Sequence, residues 1–120
     1  MEQLILHGIG DYFNQNDWMA LNKKKKGLTG FLACFVHCLT YSLPFLLIGS
    51  PVAVLFIFLT HFILDRTHIV EWALAYRNGV KDIENFGFKH DRPFAITIWL
   101  SIITDNLCHL ICNYLALKYL

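Results

Sequence analysis

Two stretches of this chain are nearly continuous apolar runs: Gly30 to Ser50, and Phe94 to Leu120 with Asp105, His109 and Lys118 as its strongly ionisable interruptions. A helix rises about 1.5 Å per residue, so runs of about 20 residues match a hydrocarbon core of about 30 Å, and both stretches predict membrane-spanning helices. A third run, Pro51 to Leu64, continues as a more polar helix through His68, Glu71 and Trp72 toward Arg77. The first segment, Leu4 to Leu21, carries Asp11, Asn14, Gln15, Asn16 and Asp17, which are costly against lipid. It can span only with its polar face covered by other helices. The pattern predicts an all-α fold: an antiparallel integral-membrane bundle of about four helices, the first short and polar-faced, forming a single transmembrane helical domain over residues 1–120.

Gly and Pro fall at the expected boundaries. Gly27 and Gly30 flank the start of the second helix, Gly49-Ser50-Pro51 reads as a tight hairpin, and Pro93 suits the first turn of the last helix. Pro44 lies inside the second helix, where a kink is expected. Asn78 to Arg92 is the one sizeable loop, with room for a short interfacial helix.

Composition agrees with a membrane chain: 56% hydrophobic and 15% aromatic residues, with a mean hydropathy of +0.46. The net charge of +1 points to no acidic macromolecular partner, and nucleic acid is not expected. Positive charge orients the bundle instead. Lys23 to Lys26 lie between the first two segments, and Arg66, Arg77, Lys81, Lys89 and Arg92 between the last two. The positive-inside rule places Lys23 to Lys26 and Asn78 to Arg92 in the cytoplasm, with Ser50-Pro51 outside, as in a bacterial inner membrane. No cleavable signal peptide is expected from the N-terminal pattern.

Against this apolar background stand three His/Asp pairs four residues apart: His7 with Asp11, His61 with Asp65, and, reversed, Asp105 with His109. Residues at this spacing share a helix face. Six His and six Asp would give roughly 0.6 such pairs by chance, so three is an excess. Counting about 1.5 Å per residue from the outer end of each segment puts Asp11, His61 and His109 at depths of roughly 15 to 16 Å, and His37, Asp65 and Asp105 at roughly 20 to 22 Å. The motif also reverses in the helix that runs the other way, which keeps His outward and Asp inward in all three pairs.

Imidazole and carboxylate are the usual ligands of Zn, Mn and non-haem Fe, and a divalent cation would offset buried carboxylate charge. The candidate metal ligands are His7, Asp11, His37, His61, Asp65, Asp105 and His109, enough for one or two ions of a divalent transition metal, Zn or Mn. Asp11, Asp65 and Asp105 are candidate catalytic carboxylates. Gln15, four residues after Asp11, and Arg66, beside Asp65, are candidate substrate contacts. Each has a plainer reading: buried His-Asp pairs also join helices, and Arg66 can extend to the interface. His68 and His90 read as solvated. Cys34, Cys38, Cys108 and Cys112 read as small packing residues, with no disulfide expected.

The string His7-Gly8-Ile9-Gly10-Asp11-Tyr12-Phe13-Asn14-Gln15-Asn16-Asp17-Trp18-Met19-Ala20-Leu21-Asn22-Lys23 resembles the opening HxxxDxxxQxDWMAxxK signature of a family of small bacterial and phage integral-membrane proteins of unknown function. A His on the second helix (His37), Thr60, His61 and Asp65 on the third, and Asp105 and His109 on the last extend the likeness over nearly the whole chain. Asp105-Asn106 stands where that family often carries Asp-Gln. The family is distantly similar to membrane-bound metal-dependent hydrolases with HxxxD motifs.

Two functions remain open. One is a metal-dependent hydrolase acting on a phosphoester or lipid-like substrate delivered by the membrane. The other is a non-enzymatic membrane protein whose His/Asp cluster binds or conducts a cation or proton, or joins the helices.

Overall fold

The computed structural model describes all residues, 1–120, and its regular structure is entirely helical, without strands. Its elements are α1 (Glu2–Gly8), a π-helical turn (Ile9–Phe13), α2 (Asp17–Asn22), α3 (Leu28–Ser42) with a 3-10 extension (Leu43–Leu47), α4 (Pro51–Arg66), α5 (Ile69–Asn78) and α6 (Phe94–Tyr119). Two stretches, Leu28–Leu47 and Phe94–Tyr119, are long and apolar enough to cross a membrane; Pro51–Arg66 with Ile69–Asn78 reaches that length only as a broken pair.

The expected four helices are therefore six, because polar residues interrupt two of the segments. Leu4 to Leu21 is not one helix. Its first part ends in the π turn, and Asn16 adopts an extended conformation (φ −89°, ψ 170°) from which its Oδ1 accepts the Met19 N–H at 2.9 Å and starts α2 anew. The third segment breaks at Thr67, which is also extended (φ −116°, ψ 172°). The hairpin forms as the sequence suggests: Pro44 coincides with the passage from α-helix to 3-10 geometry, and Ser50 caps α4 by accepting the Ala53 N–H, with Pro51 at the first helical position.

The chain forms two compact units, Met1–Thr67 with His109–Leu120, and His68–Cys108. In the first, α3 and α4 pack closely over small side chains. Ala33, Cys34, Cys38, Ala53 and Ala116 are fully buried, and Tyr41, Phe45, Val54 and Ile57 fill the space they leave. Large apolar side chains of the same helices, among them Leu32, Leu39, Leu55 and Ile63, are exposed and give these helices an apolar outer face.

In the second unit, Gly79 ends α5 in the left-handed conformation (φ 67°). The loop to α6 consists of turns, without the interfacial helix for which it has room. Asn85 holds it together: its Nδ2 donates to the Lys89 and Arg92 carbonyls, and its Oδ1 accepts from Thr97 at 2.7 Å. Gly87 (φ 77°) lets the loop lie on α5, where a Cβ would collide with the Glu71 carbonyl oxygen.

Candidate metal centre

Four elements bring the ionisable residues of the first unit together. The π turn carries Asp11, α3 carries His37, α4 carries His61 and Asp65 one turn apart, and α6 carries His109. A π turn widens the helix by one residue and re-aims the side chains beyond it, a device that recurs at functional positions. Gly10 allows this one to lie against Tyr41, because a Cβ there would overlap the ring. Tyr41 in turn stacks on the His61 imidazole, with centroids 3.7 Å apart and planes at 20°.

The donor atoms close up on one another. His37 Nε2 and His61 Nε2 are 3.0 Å apart, and Asp11 Oδ1 is 3.3 Å from each. Across the same pair, Asp65 Oδ2 lies 3.0 Å from His37 Nε2 and 3.5 Å from His61 Nε2, while Asp65 Oδ1 lies 3.2 Å from His109 Nε2. Two triads result, Asp11–His37–His61 and His61–Asp65–His109, each with its ligand atoms within 4.8 Å of one another. Donors bound to one ion at about 2.1 Å stand about 3.0 Å apart at right angles and about 3.4 Å apart in a tetrahedron, so the first triangle has the edges of a two-His, one-carboxylate face. In that arrangement Nε2 faces the cation and the proton resides on Nδ1. The Nδ1 atoms of His37 and His61 are buried without a protein acceptor, so this tautomer carries a desolvation cost.

Burial sharpens the chemistry. The side chains of His37, His61, Asp65 and His109 are at most 4% exposed, whereas Asp11 is 15% exposed and forms the open edge. Two carboxylates in such a place need positive charge. Lys23, 18% exposed, supplies one: its Nζ donates to Asp65 Oδ2 at 2.7 Å.

A hydrogen-bonded chain braces the centre. Asn113 Nδ2 donates to the Tyr41 hydroxyl at 2.7 Å, and that hydroxyl shares a hydrogen bond of 2.7 Å with His7 Nδ1, whose direction follows the His7 tautomer. His7 also lies 3.4 Å from Asp11 Oδ2.

Of the residues expected from sequence, Asp11, His37, His61, Asp65 and His109 converge. His7 joins them at the rim, its Nδ1 taken by Tyr41. Asp105 is half-buried and is in neither triad; His109 Nε2 lies 3.2 Å from the Asp65 Oδ1 of α4. Gln15 comes just after the π turn, with Oε1 buried and without a protein partner. Arg66 donates to the Lys23 and Lys25 carbonyls at 3.2 and 2.5 Å, which fastens the lysine loop. Cys34 and Cys38 are buried, with sulfurs 3.8 Å apart, Cys108 and Cys112 are half-buried, and none of the four is in a disulfide.

Sequence reasoning missed three residues. Lys23 was absorbed into the topology signal of the lysine run, although it also closes the HxxxD-containing string. Tyr41 and Asn113 lie in apolar runs, and no spacing marks them. A third acidic group, Asp82, Glu84 and His90, sits on an exposed turn, where the Glu84 N–H and then His90 hold the Asp82 carboxyl below its usual range.

The family described as "Protein of unknown function (DUF3307)" matches residues 1–118. No curated protein and no solved structure matches the chain.

Proposed function

The chain belongs to that family of unknown function, and from the geometry of its buried cluster we propose that it is a membrane-embedded, metal-dependent hydrolase acting on a phosphoester or lipid-like substrate. The observation that carries the reading is the Asp11–His37–His61 triangle, with edges of 3.0, 3.3 and 3.3 Å inside an otherwise apolar bundle. A divalent transition ion, Zn or Mn, suits this donor set and, when bound, supplies Lewis acidity and a water of lowered pKa. The chain's own residues do the rest. His37 and His61 are held by α3 and α4, Asp11 completes the donor set as its most exposed member, and the Gln15 amide oxygen offers an unpaired acceptor. The Leu28–Leu47 and Phe94–Tyr119 spans support membrane residence, and the basic segments Lys23 to Lys26 and Asn78 to Arg92 support a cytoplasmic placement for both.

Metal content of protein purified in mild detergent and incubated with Zn or Mn is the first test. At least one equivalent is expected, lost in His61→Ala with Asp65→Ala and kept in His68→Ala, because His68 lies outside both triads. Equal retention in both, or no metal in the unaltered protein, would reject the assignment. Metal-dependent cleavage of an aryl phosphate or a fluorescent phospholipid, absent from the double variant, tests the hydrolase reading itself.

One observation favours a second, non-enzymatic reading. The Lys23–Asp65 pair offsets part of the buried charge with the chain's own atoms, as a cluster serving to bind a cation or to join helices would require. Metal bound without any cleavage would favour it.

A further inference from the structure

Asp65 faces two demands at once: its Oδ1 belongs with His109 in the second triad, and its Oδ2 is bonded to the Lys23 ammonium. We infer that Lys23 is the resident cation of the Asp65 half of the centre and limits the protein to one divalent ion, held by Asp11, His37 and His61. This inference rests on the metal reading above.

Geometry and charge lead to it. Lys23 Nζ lies 2.7 Å from Asp65 Oδ2, a charge-assisted bond made by a lysine only 18% exposed. The same oxygen is 3.0 Å from His37 Nε2, a donor of the first triad, so the ammonium and any ion in that triad lie within a few ångströms of one another. Two carboxylates, Asp11 and Asp65, carry two negative charges; one divalent ion with Lys23 already brings three positive ones. A second divalent ion would bring five into a buried region, and like charges at such separations repel strongly in a medium of low polarity.

The lysine is fixed where it is. Arg66 donates to the Lys23 carbonyl, Lys24 Nζ donates to the Thr67 carbonyl at 3.1 Å, and the loop backbone lies so close to α3 that a Cβ on Gly30 would meet the Lys25 carbonyl oxygen. An ammonium held by its own backbone loses little by staying beside Asp65, so an incoming ion takes the half of the centre that lacks one.

The test is metal stoichiometry after equilibrium dialysis against Zn2+ or Mn2+, read by elemental analysis on the full chain in detergent. The unaltered protein and Lys23→Arg should each retain one equivalent and Lys23→Met two, a doubling produced by loss of one positive charge. Two equivalents in the unaltered protein, or one in a folded Lys23→Met, would overturn the inference while leaving the metal centre standing. No metal in either would overturn the centre as well. Should Lys23→Met fail to fold, amine labelling of the unaltered protein decides. Lys23 should stay protected relative to exposed Lys26 after metal loading, and a rise to the Lys26 level would show that the ion displaces it.

Discussion

Replacing Tyr41 by Phe removes one oxygen atom and leaves the ring, so packing on His61 and beside Gly10 is preserved while the Asn113–Tyr41–His7 chain is cut at its centre. Two hydrogen bonds of 2.7 Å are lost among side chains that are at most 3% exposed. Each typically contributes about 0.5–1.5 kcal/mol net, and the Asn113 amide and His7 Nδ1 left without that partner raise the cost toward the upper end, so a total of about 2–4 kcal/mol is expected. Asn113→Leu removes one bond and one polar group and should cost about 1–2 kcal/mol. The double variant separates hydrogen bonding from packing. With Asn113 already apolar, the Phe substitution orphans only His7, and the two costs should fall short of additivity by about 1 kcal/mol or more. Reversible unfolding in mixed micelles, followed by far-UV circular dichroism without added metal, measures all three. A Tyr41→Phe cost below about 0.5 kcal/mol, or costs additive within about 0.5 kcal/mol, would show that the chain of hydrogen bonds does not brace the centre.

Gly10→Ala should cost about 1–3 kcal/mol and weaken metal retention, because the new methyl group meets the Tyr41 ring and pushes it against His61; thermal unfolding and elemental analysis check both, and unchanged values would refute the close approach. Cysteines introduced at Lys24 and Lys89 should react with an impermeant thiol reagent from the cytoplasmic side, and one at Ser50 from the opposite side; labelling of position 50 from the cytoplasm would reverse the orientation.

The buried His/Asp cluster was legible because side chains four apart on a helix share a face and because charge in an apolar run needs a reason. That logic found Asp11, His37, His61, Asp65 and His109. It also implicated Asp105, one turn before His109; the contact of His109 with Asp65 of α4 lies between helices, and no periodicity records it. Lys23 was hidden by an adequate alternative, since a lysine in a basic loop already accounts for itself as a topology anchor. The break at Asn16 had a local signature, an Asn before Asp17-Trp18, but the apolar pattern around it suggested a continuous helix. Pro44 and Ser50-Pro51 were readable because proline's missing N–H acts on its immediate neighbours whatever the tertiary context.

The wide spread of the cluster's residues along the chain bears on its biogenesis. Asp11 lies near the beginning of the sequence and His109 near its end, with α3 and α4 between. A ribosome delivers them in that order, so α3 and α4 are complete while Asp11, His37, His61 and Asp65 still await the imidazole of His109. Until α6 is made, the His109 partner of Asp65 Oδ1 does not exist, whereas Lys23, the partner of Oδ2, precedes Asp65 in the chain. The Lys23–Asp65 bond thus joins two residues that are both made before α6, so it does not need that helix for either of its partners.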